Sequence, residues 1–186
     1  MALAPSLVAV WALAGLYLSL GPSLASSLVG TDSHVAGAGV ITALLGAGVT
    51  ASAFVRRADP PAMVTRGSVL LLVGVALTLV GVAFGSIAGL YAGSILAGLG
   101  FGPAFSGIFR SVAPLAPPDR RGALVASIYI VLYLSFSIPT IIAGLVVGSF
   151  GLRETTYAYG VVVMLLATAT IVAGATRARV PERPPA

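Results

Sequence analysis

Six long apolar stretches, separated by five short connections, make up most of this chain. We place them at about residues 5–28, 35–55, 67–85, 87–111, 123–150 and 155–176. Each has about the 20 residues that a helix needs to cross the hydrocarbon of a bilayer. The stretches are apolar on every face, which favours helices over the alternating strands of a membrane barrel. The sequence therefore predicts an all-α integral membrane domain of six transmembrane helices over residues 1–176, followed by a disordered tail at 177–186.

The arginines are spread unevenly over the connections. The first and third connections contain no Arg or Lys, and the fifth contains only Arg153. The second and fourth connections and the tail contain Arg56, Arg57, Arg66, Arg120, Arg121, Arg177, Arg179 and Arg183. This asymmetry is typical of the positive-inside rule. It predicts a multi-pass protein of the plasma (cell inner) membrane with both termini in the cytoplasm.

The composition excludes several other classes of protein. Only 8% of the residues are charged and 58% are hydrophobic, whereas a soluble domain needs a surface that is roughly a quarter or more charged. The net charge of +5 does not indicate nucleic-acid binding, because the arginines flank apolar spans and form no basic face. We therefore expect the lipid bilayer, and no nucleic acid, as a partner.

The sequence offers few residues for catalysis or metal binding. It contains no Cys, one His and five carboxylates, and no Asp, Glu, Lys or His lies inside any predicted span. Proton-coupled transport usually needs such a group within the membrane, and an enzyme needs a general base beside a nucleophile. We expect no catalytic residues, no metal and no cofactor.

Two matching Gly-Pro pairs suggest an internal repeat. Gly21-Pro22 lies in the first span and Gly102-Pro103 in the fourth, each about fifteen residues from the start of its span. Proline removes a helical hydrogen bond, so both helices are expected to bend at these points. The first and fourth spans run in opposite directions, as the two halves of a 3+3 inverted repeat do.

Other residues have a local structural interpretation beside a functional one. Tyr17 lies one turn before the first bend and is our preferred cavity-facing aromatic, because a buried hydroxyl needs a partner or a wet cavity. Arg110 is expected either to anchor its helix at the interface or to act at a cytoplasmic gate. Small residues that recur every four positions predict close packing of helices: Ser94, Gly98, Gly102 and Ser106 in the fourth span, and Gly144 and Gly148 in the fifth. Caps are expected from Asp32 or Ser33 and from Asp119.

Two segments resemble a known family. The loop Ala116-Pro-Pro-Asp-Arg-Arg-Gly-Ala123, and the stretch from Ser137-Ile-Pro-Thr-Ile-Ile-Ala-Gly144 to Phe150-Gly-Leu152, are similar to the C-terminal half of a major facilitator superfamily transporter. The resemblance implies that the six spans correspond to helices seven to twelve of that family. It also implies a substrate cavity lined by the first span at Tyr17, Ser23 and Ser26, and by the fourth at Phe101, Phe105 and Ser106. Arg110, Asp119, Arg120 and Arg121 would form the cytoplasmic gate or anchor.

The function that we expect is transport of a small solute by one half of a secondary transporter. The chain would be a fragment of a longer gene product, the partner of a separate six-helix half, or one subunit of a parallel homodimer. The favoured expectation is a fragment. A non-transporting membrane scaffold or assembly subunit is the alternative, and a membrane enzyme is the least favoured.

Overall fold

The computed structural model describes residues 3–30, 34–112, 114, 117 and 121–178. The regular elements of these residues are all α-helices: α1 (Leu3–Ser19), α2 (Gly21–Val29), α3 (His34–Phe54), α4 (Pro60–Ala83), α5 (Ile87–Val112), α6 (Arg121–Phe150) and α7 (Leu152–Ala178). Five are long and apolar enough to cross a membrane, and the bent pair α1–α2 makes six if it counts as one span. The described part of the chain is thus all-helical, with several helices suited to a bilayer.

The third predicted span begins earlier than the sequence suggested. We expected the third span to start at residue 67, whereas α4 begins at Pro60, directly after Asp59. The Asp59 carboxylate accepts a hydrogen bond from Ala62 N at 3.1 Å and caps the helix. Proline is favoured in the first turn, because its missing N–H would be unpaired there in any case. The two prolines therefore start this helix.

A tight turn joins α4 to α5. Gly85 has a φ of 64°, Ser86 N donates to Gly81 O at 2.8 Å and Gly85 N donates to Val82 O at 3.3 Å. This is the Schellman pattern, which favours glycine at the left-handed position. The Ser86 hydroxyl accepts from Gly89 N at 3.1 Å and caps α5. The chain can thus reverse within three residues, and α4 and α5 form an antiparallel hairpin.

Glycines let α5 approach helices on two sides. A Cβ at Gly67 of α4 would lie 2.7 Å from Gly100 O, and one at Gly81 would lie 2.7 Å from the Gly89 carbonyl carbon. On the other side of α5, Gly98 lies against Leu44 O of α3. Lipid tails are as apolar as the side chains, so close backbone contact is a main source of helix association in a bilayer. These contacts join α3, α4 and α5 into one closely packed group.

The remaining helices surround α1. It packs against α6 and α7, while α4 also packs against α7 and α2 lies on α3. Gly15 marks the junction of α1 with α6 and α7, because a Cβ there would meet the hydroxyls of Tyr159 and Thr140. Large apolar side chains also point outward, such as Val49 at 72% exposure and Leu145 at 75%. Apolar surface of this kind is suited to lipid.

Candidate functional site

The first span is broken just before Gly21-Pro22. Its two parts, Pro5–Ser19 and Gly21–Val29, meet at an angle of 41°. Because Pro22 has no N–H, the carbonyl of Leu18 loses its usual helical donor. In the fourth span, by contrast, α5 runs without interruption through Pro103. The two Gly-Pro pairs therefore have different local effects.

The bent segment is held against α3. A Cβ on Gly37 would lie 2.9 Å from Pro22 Cβ, so glycine at this position lets the proline ring reach the α3 backbone. Farther along α2, the side chain of Ser23 is exposed and that of Ser26 is half-buried. The backbone of Ser26 accepts the hydrogen bond from Gly30 N that ends the helix.

Tyr17 lies inside the bundle. Its side chain is 1% exposed, and its hydroxyl shares a hydrogen bond of 2.6 Å with Thr78 Oγ1 of α4. The bond joins residues that are 61 positions apart. Tyr17 thus connects the first span to α4 just before the bend, and its hydroxyl is satisfied without a wet cavity.

Five aromatic rings form a continuous cluster across three helices, which we call the aromatic ribbon. On α5 the Phe101 and Phe105 rings stack with centroids 6.2 Å apart, and the Phe105 and Phe109 centroids are 4.8 Å apart. Trp11 of α1 packs edge-on against Phe105 at 5.8 Å and against Phe136 of α6 at 6.4 Å. All five side chains are half-buried. Four of them pack against the hydrophobic core: Trp11, Phe101, Phe105 and Phe109. The ribbon thus joins α1, α5 and α6 through contacts between their aromatic side chains.

Trp11 carries a polar group that none of the described residues satisfies. Its Nε1 atom is buried, yet it has no hydrogen-bond partner within the described part of the chain. A buried donor without an acceptor costs free energy, so it is uncommon in folded proteins. The indole N–H is therefore the polar feature of an otherwise apolar ribbon.

Ser106 lies beside the ribbon on a neighbouring face of α5. Its hydroxyl donates to Ser52 Oγ of α3 at 3.4 Å, and Ser52 donates in turn to Gly48 O at 2.8 Å. A Cβ on Gly102 would lie 2.5 Å from Ser52 Oγ. The small residues predicted to pack on this span thus face α3 at Gly102 and Ser106.

Arg110 fastens one end of α5 to the connection between α3 and α4. Its Nη1 atom donates to the carbonyl oxygens of Arg56 at 3.0 Å and Ala58 at 3.1 Å, and lies 3.2 Å from the Met63 sulfur. A positive charge is stabilised by the exposed carbonyls that follow a helix. Arg110 thus ties the end of α5 to this connection, and its predicted roles as an interface anchor or a cytoplasmic gate stay predictions.

Arg153 makes the corresponding contact at another helix end. Its Nη2 atom donates to Ala83 O, in the last turn of α4, at 2.8 Å. Its guanidinium carbon also lies 5.8 Å from the centre of the Tyr157 ring, within the range of a cation–π contact. Arg110 and Arg153 thus each tie a helix end to a distant segment of chain.

The other predicted residues at the helix ends are less constrained. Arg121 is exposed and begins α6. Asp32, Ser33, Asp119 and Arg120 lie outside the described residues. A Cβ on Gly144 or Gly148 of α6 would meet no atom within 4 Å, so the small residues predicted to pack in this span face outward.

The ribbon brings together some of the predicted residues and others that the sequence did not single out. Phe101 and Phe105 were expected to line the site, and their spacing of four places them on one helical face. Phe109 continues the same spacing and could have been found in this way. Trp11 and Phe136 join the ribbon only through tertiary packing, for which no short motif exists.

The described residues contain no cluster of three or more His, Cys, Asp or Glu side chains that could hold a metal ion. A scan against protein-family models finds no match for the chain, and a search of the curated proteins finds no similar protein. Functional interpretation therefore depends on the geometry of the helices and of the ribbon.

Proposed function

We propose that the chain is one six-helix half of a secondary transporter of the major facilitator type, moving a small organic solute across the plasma membrane. In this proposal α1–α2 form one span, both termini are cytoplasmic, and α1–α4 and α5–α7 are two inverted triplets. The proposed role is transport, without catalysis.

The pattern of helix contacts is the observation that supports this proposal most strongly. The first span packs against the second and third helices of the other triplet, α6 and α7, and α5 packs against the second and third helices of the first triplet, α3 and α4. The two third helices, α4 and α7, also pack against each other. Exchanging the triplets reproduces these contacts, as expected for an inverted repeat, whereas the contacts of α2 with α3 and of α6 with α7 have no comparable counterpart in the other triplet.

The position of the aromatic ribbon also fits this proposal. It lies on the two helices that begin the triplets, α1 and α5, and extends to α6. In transporters built from inverted repeats, interrupted helices near the repeat interface form the substrate site. The break at Gly21-Pro22 is in the same span as Trp11. We assign the ribbon to the solute cavity, which a second six-helix half would complete.

The outward face of α6 favours a second candidate function. Because Gly144 and Gly148 leave open space on this helix, a partner helix could approach closely there. In that case the chain would be a scaffold or assembly subunit. The scaffold role predicts a stable complex that moves no solute.

Reconstitution tests the proposal. The chain is purified in mild detergent with any partner that accompanies it, placed in liposomes, and tested for uptake of labelled sugars, amino acids, organic acids and neutral aromatic compounds. We expect saturable uptake of one class, and several-fold slower uptake for Pro22→Ala, which restores the donor to Leu18 O. Gly46→Ala is the matched control, since a Cβ there meets nothing within 4 Å. Folded assemblies that move none of these solutes would contradict the transporter role.

A further inference from the structure

The aromatic ribbon differs from the isolated aromatic side chains on the outside of the protein. Phe54, Phe84 and Phe150 are 86%, 83% and 68% exposed and lie at or beyond helix ends. The ribbon residues instead pack ring against ring at 4.8 to 6.4 Å while keeping part of their surface open. On the same helix as Trp11, Leu13 and Leu16 are 0% and 1% exposed. The ribbon is therefore a pre-formed aromatic surface at the edge of a sealed core.

Open ring surface of this kind suits a planar aromatic molecule. Aromatic rings prefer offset-stacked or edge-on neighbours at centroid distances of about 4.5–7 Å. The Phe101 and Phe105 rings are nearly parallel, with planes 6° apart, while Phe109 and Trp11 stand at more than 60° to Phe105. A planar solute could stack on one pair and contact the edges of the others.

The charges of the surrounding helices exclude a strongly charged ligand. The sequence contains no Asp, Glu, Lys, Arg or His from Leu3 to Ser19, from Ile87 to Phe109 or from Gly122 to Phe150. Arg110, next to Phe109, directs its guanidinium to the carbonyls of Arg56 and Ala58. A net charge brought to the ribbon would lose its hydration without gaining a counter-charge.

The indole N–H adds one specific requirement. Trp11 Nε1 is buried and finds no acceptor among the described residues. A solute oxygen or nitrogen that accepts this hydrogen bond would remove the cost of the unpaired donor. Sites that leave a polar group unpaired without their ligand discriminate well between ligands with and without the matching group.

From these observations we infer that the aromatic ribbon binds an uncharged, planar aromatic solute that carries a hydrogen-bond acceptor. Because Trp11 Nε1 is covered in this structure, the indole turns on binding so that Nε1 donates to this acceptor. The inference rests on the proposed function for its assignment of the ribbon to a solute cavity. Phe101 and Phe105 would supply the stacking surface, and Phe136 would close the opposite edge of the indole.

A single NMR signal can test this inference, because Trp11 is the only tryptophan of the chain. The protein is labelled with ¹⁵N-tryptophan, embedded in nanodiscs and titrated with three tricyclic probes: 9-fluorenone has a carbonyl acceptor, fluorene lacks it, and fluorene-9-carboxylate is an anion. We expect 9-fluorenone to move the indole N–H signal downfield and saturably. Fluorene should bind about tenfold more weakly, and the anion should leave the signal in place.

Two variants distinguish binding at the ribbon from partition into lipid. Phe105→Leu should weaken 9-fluorenone binding about fivefold, whereas Phe84→Leu, at an exposed position, should not. In Trp11→Phe combined with Phe84→Trp, the single indole faces the outside, and its signal should show no saturable downfield shift. Equal responses of both indoles, or equal responses to all three probes, would overturn the inference.

The same titration separates this inference from the proposed function. Saturable binding of 9-fluorenone by a protein that moves no solute would support the ribbon site and contradict transport. Uptake of other solutes, with an indole signal that 9-fluorenone leaves unchanged, would support transport and overturn the ribbon site.

Discussion

At the residue scale, most polar side chains in the helices are satisfied within their own helix. Ser94 donates to Leu90 O at 2.7 Å, and Thr156 donates to Leu152 O at 2.7 Å. Such bonds to the carbonyl four residues earlier add little to tertiary structure. Tyr17 is different, because it bonds Thr78 on another helix. Arg110 similarly bonds a distant segment of chain.

Replacing Tyr17 by Phe should destabilise the bundle. The change removes the 2.6 Å hydrogen bond and leaves the Thr78 hydroxyl, 1% exposed, without this partner. Hydrogen bonds between membrane helices contribute about 0.6–1.7 kcal/mol, so we expect a loss of about 1 kcal/mol in an SDS titration followed by circular dichroism. Tyr133→Phe, at a position that is 64% exposed, is the control. Equal stability of the two variants would show that the bond contributes nothing.

Replacing Arg110 by Ala should release the connection between α3 and α4. Without the bonds to the Arg56 and Ala58 carbonyls, this segment should open more often and be cut by trypsin after Arg56 or Arg57 several-fold faster. Proteolysis of locally open states follows their population. Arg66→Ala removes an exposed arginine from α4 and should leave this cleavage rate unchanged. An unchanged rate in Arg110→Ala would argue against the anchoring role.

At the scale of the helices, close backbone packing organises the hairpin of α4 and α5. A Cβ on Gly74 would lie 2.6 Å from Ala97 Cα and 2.8 Å from Ala97 Cβ. Backbone atoms at this distance cannot move aside as a flexible side chain can. The interface therefore depends on the absence of side chains at specific positions.

Gly74→Ala and Gly144→Ala form a matched pair that tests this packing. Both glycines lie inside helices, where alanine is favoured by about 1 kcal/mol, but Gly144 has no atom within 4 Å of its added Cβ. Overpacking should cost Gly74→Ala about 2 kcal/mol, while Gly144→Ala should be neutral or slightly stabilising. The SDS titration measures both. A stabilised Gly74→Ala would contradict the close approach of α4 and α5.

Much of this organisation follows from local chemistry. Long apolar runs predict the helices, and the missing N–H of Pro22 accounts for the break beside it. The start of α4 was mispredicted because a Pro-Pro pair can either end one helix or begin the next. The cap by Asp59 shows that this pair begins α4. Phe101 and Phe105 share a face by their spacing, but the contacts of Trp11 and Phe136 depend on how whole helices pack. That packing has no local signal in the sequence.

At the scale of the whole molecule, α1 and α2 determine how many times the chain crosses the membrane. The pair is one bent span, or α2 returns to the side from which α1 came. One bent span gives six crossings, which place both termini on the same side of the membrane, as the two inverted triplets require. If α2 instead returned, only α3 to α7 would cross the membrane. These five crossings would place the two termini on opposite sides.

The accessibility of the two termini tests this central claim most directly. The chain contains no Cys, so Ala2→Cys and Thr176→Cys each introduce a single thiol. An impermeant maleimide is applied to intact cells and to inverted membrane vesicles. Six crossings with both termini in the cytoplasm, as proposed above, predict that both thiols react in inverted vesicles and that neither reacts in intact cells. Reaction of the two thiols from opposite sides would contradict the six-span half-transporter.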